Sequence, residues 1–190
     1  MNSGLTIWFT GLSGAGKTTL ADLLAPKLEA YGHCVEKLDG DVVRTHLSKG
    51  LGFSKEDRDT NIRRIGWVSA LGTRLGGTML VSAISPYRKA RQEARAMTES
   101  FFEVHVHCTL DTLVQRDPKG LYAKAIAGDI PNFTGVSDPY EAPENAEVVV
   151  NTAEETPDES VAIIITALQQ HGYLASVDQP STAAVDIPSR

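Results

Sequence analysis

The sequence predicts an α/β domain: a parallel sheet of five strands, helices on both faces, and a mobile lid. Three observations predict it. Five short apolar runs are spread along 190 residues, and most lack the polar alternation of a sheet with one wet face. Long connections with helical character separate them, as parallel strands require. A glycine-broken loop joins the first run to the first helix.

Leu5 to Thr10 (LTIWFT) reads as the first strand, rich in β-branched and aromatic residues. Gly11 to Gly16 is the loop. Lys17 to Tyr31 is helical, with Leu20, Leu23, Leu24 and Leu28 on one stripe. Cys34 to Leu38, Thr78 to Ile84, Phe102 to Cys108 and Ala146 to Val150 supply the other four strands. Asp57 to Gly76 is the longest helical stretch. At about 100° per residue, Arg58, Asn61, Ile62, Ile65, Val68, Ser69 and Gly72 share one core-facing stripe. An inward guanidinium at Arg58 is costly unless an anion meets it, either a nearby carboxylate or a ligand. Arg116 to Tyr140 is rich in Gly, Pro and charge and is expected to form a cover of a short helix and loops. Pro157 to Tyr173 closes the domain as a helix, with Pro157 in its first turn. Residues 1–174 are thus expected to form one domain, and 175–190 a disordered tail.

Hydrophobic residues make up 42% and charged residues 22% of the chain, an ordinary globular mixture. The formal net charge is -6, which disfavours nucleic-acid binding driven by bulk charge. A local cluster of Arg and Lys can still bind a small anion. Leu5 to Leu12 is far shorter than the roughly 20 apolar residues of a membrane span. It also lacks the basic flank and cleavage site of a secretory signal. No membrane partner is expected, and the cytoplasm is the expected compartment. Cys34 and Cys108 form no metal-binding spacing and are expected to be buried, reduced thiols.

The strongest motif is Gly11-Leu-Ser-Gly-Ala-Gly-Lys-Thr18, a complete G-x-x-x-x-G-K-T after a strand and opening a helix. Its glycines let successive N–H groups point into one concavity at a helix N-terminus, where phosphate oxygens bind. Gly11, Ser13, Gly14, Ala15, Gly16, Lys17, Thr18 and Thr19 are the expected nucleotide contacts. Lys17 reaches the outer phosphates, and the Thr18 hydroxyl can ligate Mg²⁺. The absence of an Asn-Lys-x-Asp motif favours an ATP user over a GTPase switch. Leu38-Asp39-Gly40-Asp41 follows the second strand, so both carboxylates face the phosphate loop's crevice. One can hold metal-bound water and the other can orient or deprotonate an attacking hydroxyl. Asp41 could instead cap the helix expected from Val42.

Several stretches, in order, resemble the adenylylsulfate kinase family. They are Gly11 to Thr19, Leu38 to Asp41 with Arg44, Gly50-Leu-Gly-Phe-Ser54, Asp57-Arg-Asp-Thr-Asn-Ile-Arg-Arg64, Ser85-Pro-Tyr-Arg88, Arg116-Asp-Pro-Lys-Gly-Leu-Tyr122 and Phe133-Thr-Gly135 through Pro143. The resemblance spans residues 4–172. It implies a P-loop NTPase-type fold with a lid near residues 116–140. It also implies a reaction: ATP, with Mg²⁺, phosphorylates the ribose 3′-hydroxyl of adenosine 5′-phosphosulfate.

By the same resemblance, Asp39, Asp41, Arg44, Phe53, Arg58, Asn61, Ile84, Ser85, Lys119 and Phe133 meet the substrate. Lys17, Asp41 and Ser85 are the catalytic candidates, and Thr18 with Asp39 the metal candidates. Arg44, Arg58 and Asn61 would hold the phosphosulfate, and Phe53 and Phe133 would sandwich the adenine. Without the resemblance core packing is the favoured reading of the two rings, and the glycine-rich loops that carry them tilt the balance toward ligand contact. Arg116 would meet ATP, though it and Lys119 could also be a solvated loop face. A family role for Ser85 is a phosphorylated intermediate. Direct in-line transfer needs no such relay, and no His or Lys is placed to activate the hydroxyl, so positioning is the expected role. A homodimer is expected by resemblance alone. Two other readings stay open: a P-loop kinase for a different hydroxyl acceptor, and a catalytically silent nucleotide-binding partner subunit.

Overall fold

The structure, a computed structural model, describes residues 4–175. The tail expected to be disordered lies almost wholly outside the described residues. Five strands form one parallel sheet: β1 (Leu5–Thr10), β2 (Val35–Asp39), β3 (Thr78–Ser82), β4 (Phe101–His107) and β5 (Val148–Asn151). Their spatial order is β2-β3-β1-β4-β5. The chain leaves β1 toward one edge, returns through β3, and crosses to the other side at β4. That reversal opens a crevice at the carboxyl ends of the strands, where doubly wound sheets bind ligands.

Seven helices accompany them among the described residues: α1 (Lys17–Ala30), α2 (Gly40–His46), α3 (Lys55–Arg74), α4 (Arg88–Arg95), α5 (Leu110–Arg116), α6 (Leu121–Ile126) and α7 (Pro157–Gln170). Strand alternation sends Leu5, Ile7 and Phe9 of β1 to one face, against Leu20, Leu24 and Leu28 of α1 and Ile164 and Leu168 of α7. Trp8 goes to the other face with Val81 of β3, Ile62 and Ile65 of α3, and Ala90 and Ala94 of α4. Each such large side chain contributes about 1.5–3 kcal/mol on full burial. Gly66 lets α3 and α4 meet: a Cβ there would lie 2.8 Å from the Ala94 Cβ.

The expected strands form with ends shifted by one or two residues, as hydrogen bonding at strand ends allows. β3 stops at Ser82, so Ile84 and Ser85 lie in the following turn. β2 departs from the expected apolar strand. It is an edge strand, and Glu36 and Lys37 are exposed. Cys34, beside it, is exposed rather than buried for the same reason; Cys108 is buried. Asp39, not Asp41, caps the second helix, its side chain accepting the Asp41 N–H at 2.9 Å. The helix therefore starts at Gly40, two residues earlier than expected. The cover does contain a short helix, α6, followed by turns. Arg116 belongs to the end of α5 rather than to a loop.

α7 begins with a reciprocal cap. The Thr156 side chain accepts the Glu159 N–H, and the Glu159 carboxylate accepts the Thr156 N–H at 2.8 Å. Replacing Thr156 by Ala is expected to cost about 1 kcal/mol. The melting temperature should fall by about 2–4 °C in calorimetry.

Candidate active site

The Gly11–Gly16 loop turns between β1 and α1 on glycines that no other residue replaces cheaply. Gly14 and Gly16 have φ of 75° and 99°, and a Cβ on Gly11 would lie 2.3 Å from the Val106 carbonyl oxygen. Gly16 stands at the N-cap of α1 and no side chain bonds the helix's first N–H groups. α3, α5 and α7 are capped by Ser54, Thr109 and Thr156. The first turn of α1 is therefore left with donors aimed at the loop, an anion site.

Lys17, the first residue of α1, folds its side chain back onto this loop. Its Nζ donates to the carbonyls of Gly11 at 2.9 Å and Leu12 at 2.7 Å. Burial strips water from the ammonium and pushes its pKa down to about 8, with Asp39 and Asp41 partly offsetting the loss. The Thr18 hydroxyl donates to Asp39 at 2.7 Å. A hydroxyl and a carboxylate this close form a hard-oxygen pair that suits Mg²⁺. Asp41, the second residue of α2, takes the Lys119 ammonium at 3.3 Å in an exposed pair.

A cavity of about 500 Å³ lies in front of these groups, large enough for a nucleotide. Its floor carries Ser13, Gly14, Lys17, Thr18, Asp39 and Asp41. One wall is Arg44, Phe53, Arg58 and Asn61, another is Ile84 and Ser85, and the lid adds Lys119 and Phe133. Fourteen expected site residues thus converge on one space. Gly11, Ala15 and Gly16 shape the loop behind it, and Thr19 is exposed on α1. Arg116 does not line this cavity. Its Nη2 donates to the Thr152 carbonyl at 2.7 Å, which ties α5 to the loop after β5.

Arg58 and Asn61 are buried, as the helical stripe required. Among the described residues no carboxylate lies within ion-pair distance of Arg58, and Asp138 acts on it only from farther away. Its Nε donates to the Phe53 carbonyl at 2.9 Å and its Nη2 to the Asn132 carbonyl at 2.6 Å. Arg44 donates to the Gly52 carbonyl at 3.0 Å and lies 4.4 Å from the centroid of the exposed Phe53 ring. Neither arginine forms an ion pair among the described residues, and burial lowers the pKa of both. Two cations on one wall without a counter-ion make that wall a second anion site.

Ser85 is only 2% exposed and has φ of 44°, unusual for a residue with a side chain. Its hydroxyl accepts from Trp8 Nε1 at 3.0 Å and donates to Thr10 Oγ1 at 3.0 Å. That hydroxyl is already committed on both sides, which fits positioning better than attack.

Some lining residues escaped the sequence. Asn132 and Thr134 flank Phe133, and Ser82 sits across the β2–β3 register from Asp39. Asn61 Oδ1, Ser82 Oγ and Thr134 Oγ1 are buried with no partner among the described residues. Such atoms are costly to leave unpaired, and all three residues border the cavity. A polar residue ending an apolar strand was the available signal for Ser82. Thr134 carried no periodic signal. Among the described residues, no helix is long and apolar enough to cross a membrane.

The adenylylsulphate kinase family model matches residues 3–151. An adenylyl-sulfate kinase of Synechococcus sp. is 58% identical over 171 residues, covering 90% of this chain and 98% of that protein. A probable bifunctional SAT/APS kinase of Sorangium cellulosum is 59% identical over 172 residues. The chain spans only 30% of that larger relative. Among solved structures, the Mycobacterium tuberculosis APS kinase CysC in complex with AMPPNP and APS superposes with a TM-score of 0.84 at 41% identity. The match covers 89% of this chain and 99% of that one.

The Lys17 pKa near 8 makes nucleotide affinity pH-dependent. Only the cation attracts phosphate, and raising the pH removes it. Between pH 7 and pH 9 the cationic fraction falls from about nine-tenths to about one-tenth, so AMPPNP should bind about tenfold more weakly at pH 9. Titration calorimetry at the two pH values checks this, with Lys17→Met expected to flatten the dependence.

Proposed function

The chain belongs to the adenylylsulphate kinase family, and from that membership we propose how its own residues divide the reaction. The enzyme transfers the γ-phosphoryl group of ATP to the ribose 3′-hydroxyl of adenosine 5′-phosphosulfate. The observation that carries the proposal is the facing of two anion sites across one cavity. The loop and Lys17 lie on one side, and the unpaired Arg44 and Arg58 beside two aromatic rings lie on the other.

The loop N–H groups and Lys17 hold the triphosphate and neutralise charge as it shifts to the β–γ bridging oxygen. Thr18 and Asp39 would hold Mg²⁺, which when bound neutralises phosphate charge and orients the phosphates. Arg44, Arg58 and Asn61 take the phosphosulfate. Their charges are then answered by an anion of matching size. Phe53 and Phe133 stack on the two faces of the adenine, worth about 1–3 kcal/mol per base by analogy with single-stranded nucleic acids. Asp41 accepts a hydrogen bond from the 3′-hydroxyl, orients it toward the γ-phosphorus and takes its proton. The new bond joins the 3′-oxygen to phosphorus, the bond to the β-phosphate oxygen breaks, and ADP leaves. Lys119 moves from Asp41 to the phosphates when the lid, residues 116–140, closes. Ile84 and Ser85 position the acceptor, and Arg116 meets ATP at the far side of the loop.

A homodimer belongs to the same proposal. Trp67 and Leu71 on the outer face of α3 and Leu75 at its C-cap, spaced four apart, are 59%, 41% and 82% exposed. They supply an apolar stripe that a second copy would cover. Residence in the cytoplasm is also proposed, and the free thiols Cys34 and Cys108 suit a reducing compartment.

Mg²⁺-dependent ADP release on adding adenosine 5′-phosphosulfate tests the activity. Release with a sugar acid or nucleoside monophosphate instead would overturn the substrate assignment. Asp41→Asn is expected to lower kcat by about two to four orders of magnitude with the fold intact. Phe53→Ala should raise KM for the sulfated nucleotide by about tenfold and leave AMPPNP affinity unchanged. An unaltered acceptor KM would remove Phe53 from the stacking role.

A further inference from the structure

Two walls of the cavity come from distant stretches. Ile84 and Ser85 follow β3, while Phe133 and Thr134 belong to the lid. None of these residues is part of a helix or strand. A ligand gripped between such walls needs their separation held by something else.

The chain from Asp138 to Glu141 runs from the lid wall back to the Ser85 turn. The Glu141 N–H donates to the Pro86 carbonyl at 2.8 Å, and the Arg88 N–H donates to the Glu141 carboxylate at 2.8 Å. Behind both lies Arg91 on the inner side of α4, 3% exposed. Its Nη1 donates to the Ser85 carbonyl at 2.6 Å and its Nη2 to the Glu141 carbonyl at 2.7 Å. Its Nε donates to the Glu103 carboxylate of β4 at 2.9 Å. A single planar guanidinium therefore joins the turn, the segment returning from the lid and the sheet. The Tyr140 ring lies 5.9 Å from it, and the Tyr140 hydroxyl meets Thr10 at 3.0 Å. Thr10 spends its own proton on the Ile84 carbonyl at 2.8 Å, so Tyr140 donates.

Arg91 does not line the cavity. Its burial is not explained by stability, because a buried ion pair is often no better than well-packed apolar residues. A rigid fork can do what those cannot: hold two carbonyl oxygens at a set spacing. One of those carbonyls belongs to Ser85, whose left-handed backbone needs an external tie to persist.

We propose that Arg91 is a positioning residue for the phosphoryl acceptor, fixing the spacing between the Ser85 turn and the Phe133 wall through the carbonyls of Ser85 and Glu141. The proposal rests on the kinase reading above, which supplies the acceptor. Glu103 fixes the plane of the fork, and Arg91 touches no substrate atom.

Arg91→Lys tests it in the full chain. Lysine keeps the charge against Glu103 but cannot reach both carbonyls as a planar fork. KM for adenosine 5′-phosphosulfate should rise about tenfold, with KM for ATP and kcat each within about threefold of wild type. Amide hydrogen exchange should quicken at Gly135 and Glu141 and stay unchanged in α1. A merely structural role would lower the melting temperature and leave the two KM values moving together, which overturns the proposal. So would an acceptor KM and an exchange pattern equal to wild type. Glu103→Gln keeps an acceptor for Nε and should leave the acceptor KM within about threefold. A rise as large as that of Arg91→Lys would assign the effect to the ion pair and also overturn it. Should the wild-type chain release no ADP with the sulfated nucleotide, the kinase reading falls, and the exchange measurement alone decides the role of Arg91.

Discussion

The structure depends on one costly placement, the ammonium of Lys17 held away from water. Its two hydrogen bonds go to carbonyls of the loop that precedes it. They satisfy two of its three donors and leave the charge only partly answered. The rest of the crevice is built around that deficit. Asp39 and Asp41 lie near enough to offset the loss without forming an ion pair with it. An uncapped helix end points at the same spot. A polyphosphate would repay all of these at once, and its removal leaves a site under electrostatic tension. Such tension is the usual condition of preorganised sites, where the protein meets the cost in folding and not during reaction.

The parallel sheet makes this possible. Its strands all end on one edge, so the loops after β1, β2 and β3 meet there. The phosphate loop follows β1, the two aspartates follow β2, and the Ser85 turn follows β3. Three chemical tasks are thereby placed side by side by topology alone. The long helix α3 adds the fourth. Its N-terminus reaches the crevice, so a stripe that is apolar along most of its length ends there in Arg58 and Asn61. The polarity change along that stripe marks where core gives way to ligand.

Such reasoning explains what was legible in the sequence. The phosphate loop was, because a turn made of glycines and followed by Lys-Thr has one physical use. The inward Arg58 was, because the 3.6-residue period fixes which face it shares. The strands and long helices were, because burial writes a period into them. The short helices α4 and α5 were not, and α2 was legible only from Val42 onward. α4 (RKARQEAR) turns only Ala90, Arg91 and Ala94 inward, and two alanines make no stripe that a reader can see. Nothing local therefore marks Arg91 as buried. The cap at Asp39 was misassigned to Asp41 because both carboxylates suit a helix start, and only the backbone decides between them. Thr134 and Asn132 lie in a turn whose residues face the cavity for reasons of three-dimensional path. No local pattern encodes that.

Ser85 is a residue on which sequence and fold agree. The family resemblance attaches a phosphate-carrier role to it, whereas the physics of direct transfer already favoured positioning. In the fold, its hydroxyl has a donor in Trp8 and an acceptor in Thr10, and its carbonyl is held by Arg91. Taking a phosphate would break the first two bonds in a place that is almost dry, and no base stands by to remove the proton. Direct transfer asks for none of this. It needs only that the acceptor oxygen be held in line with the triphosphate, which is a matter of wall spacing. The strained turn at Ser85, tied from behind by a buried guanidinium, is a device suited to that task. The hydroxyl's contribution is then to hold the backbone still.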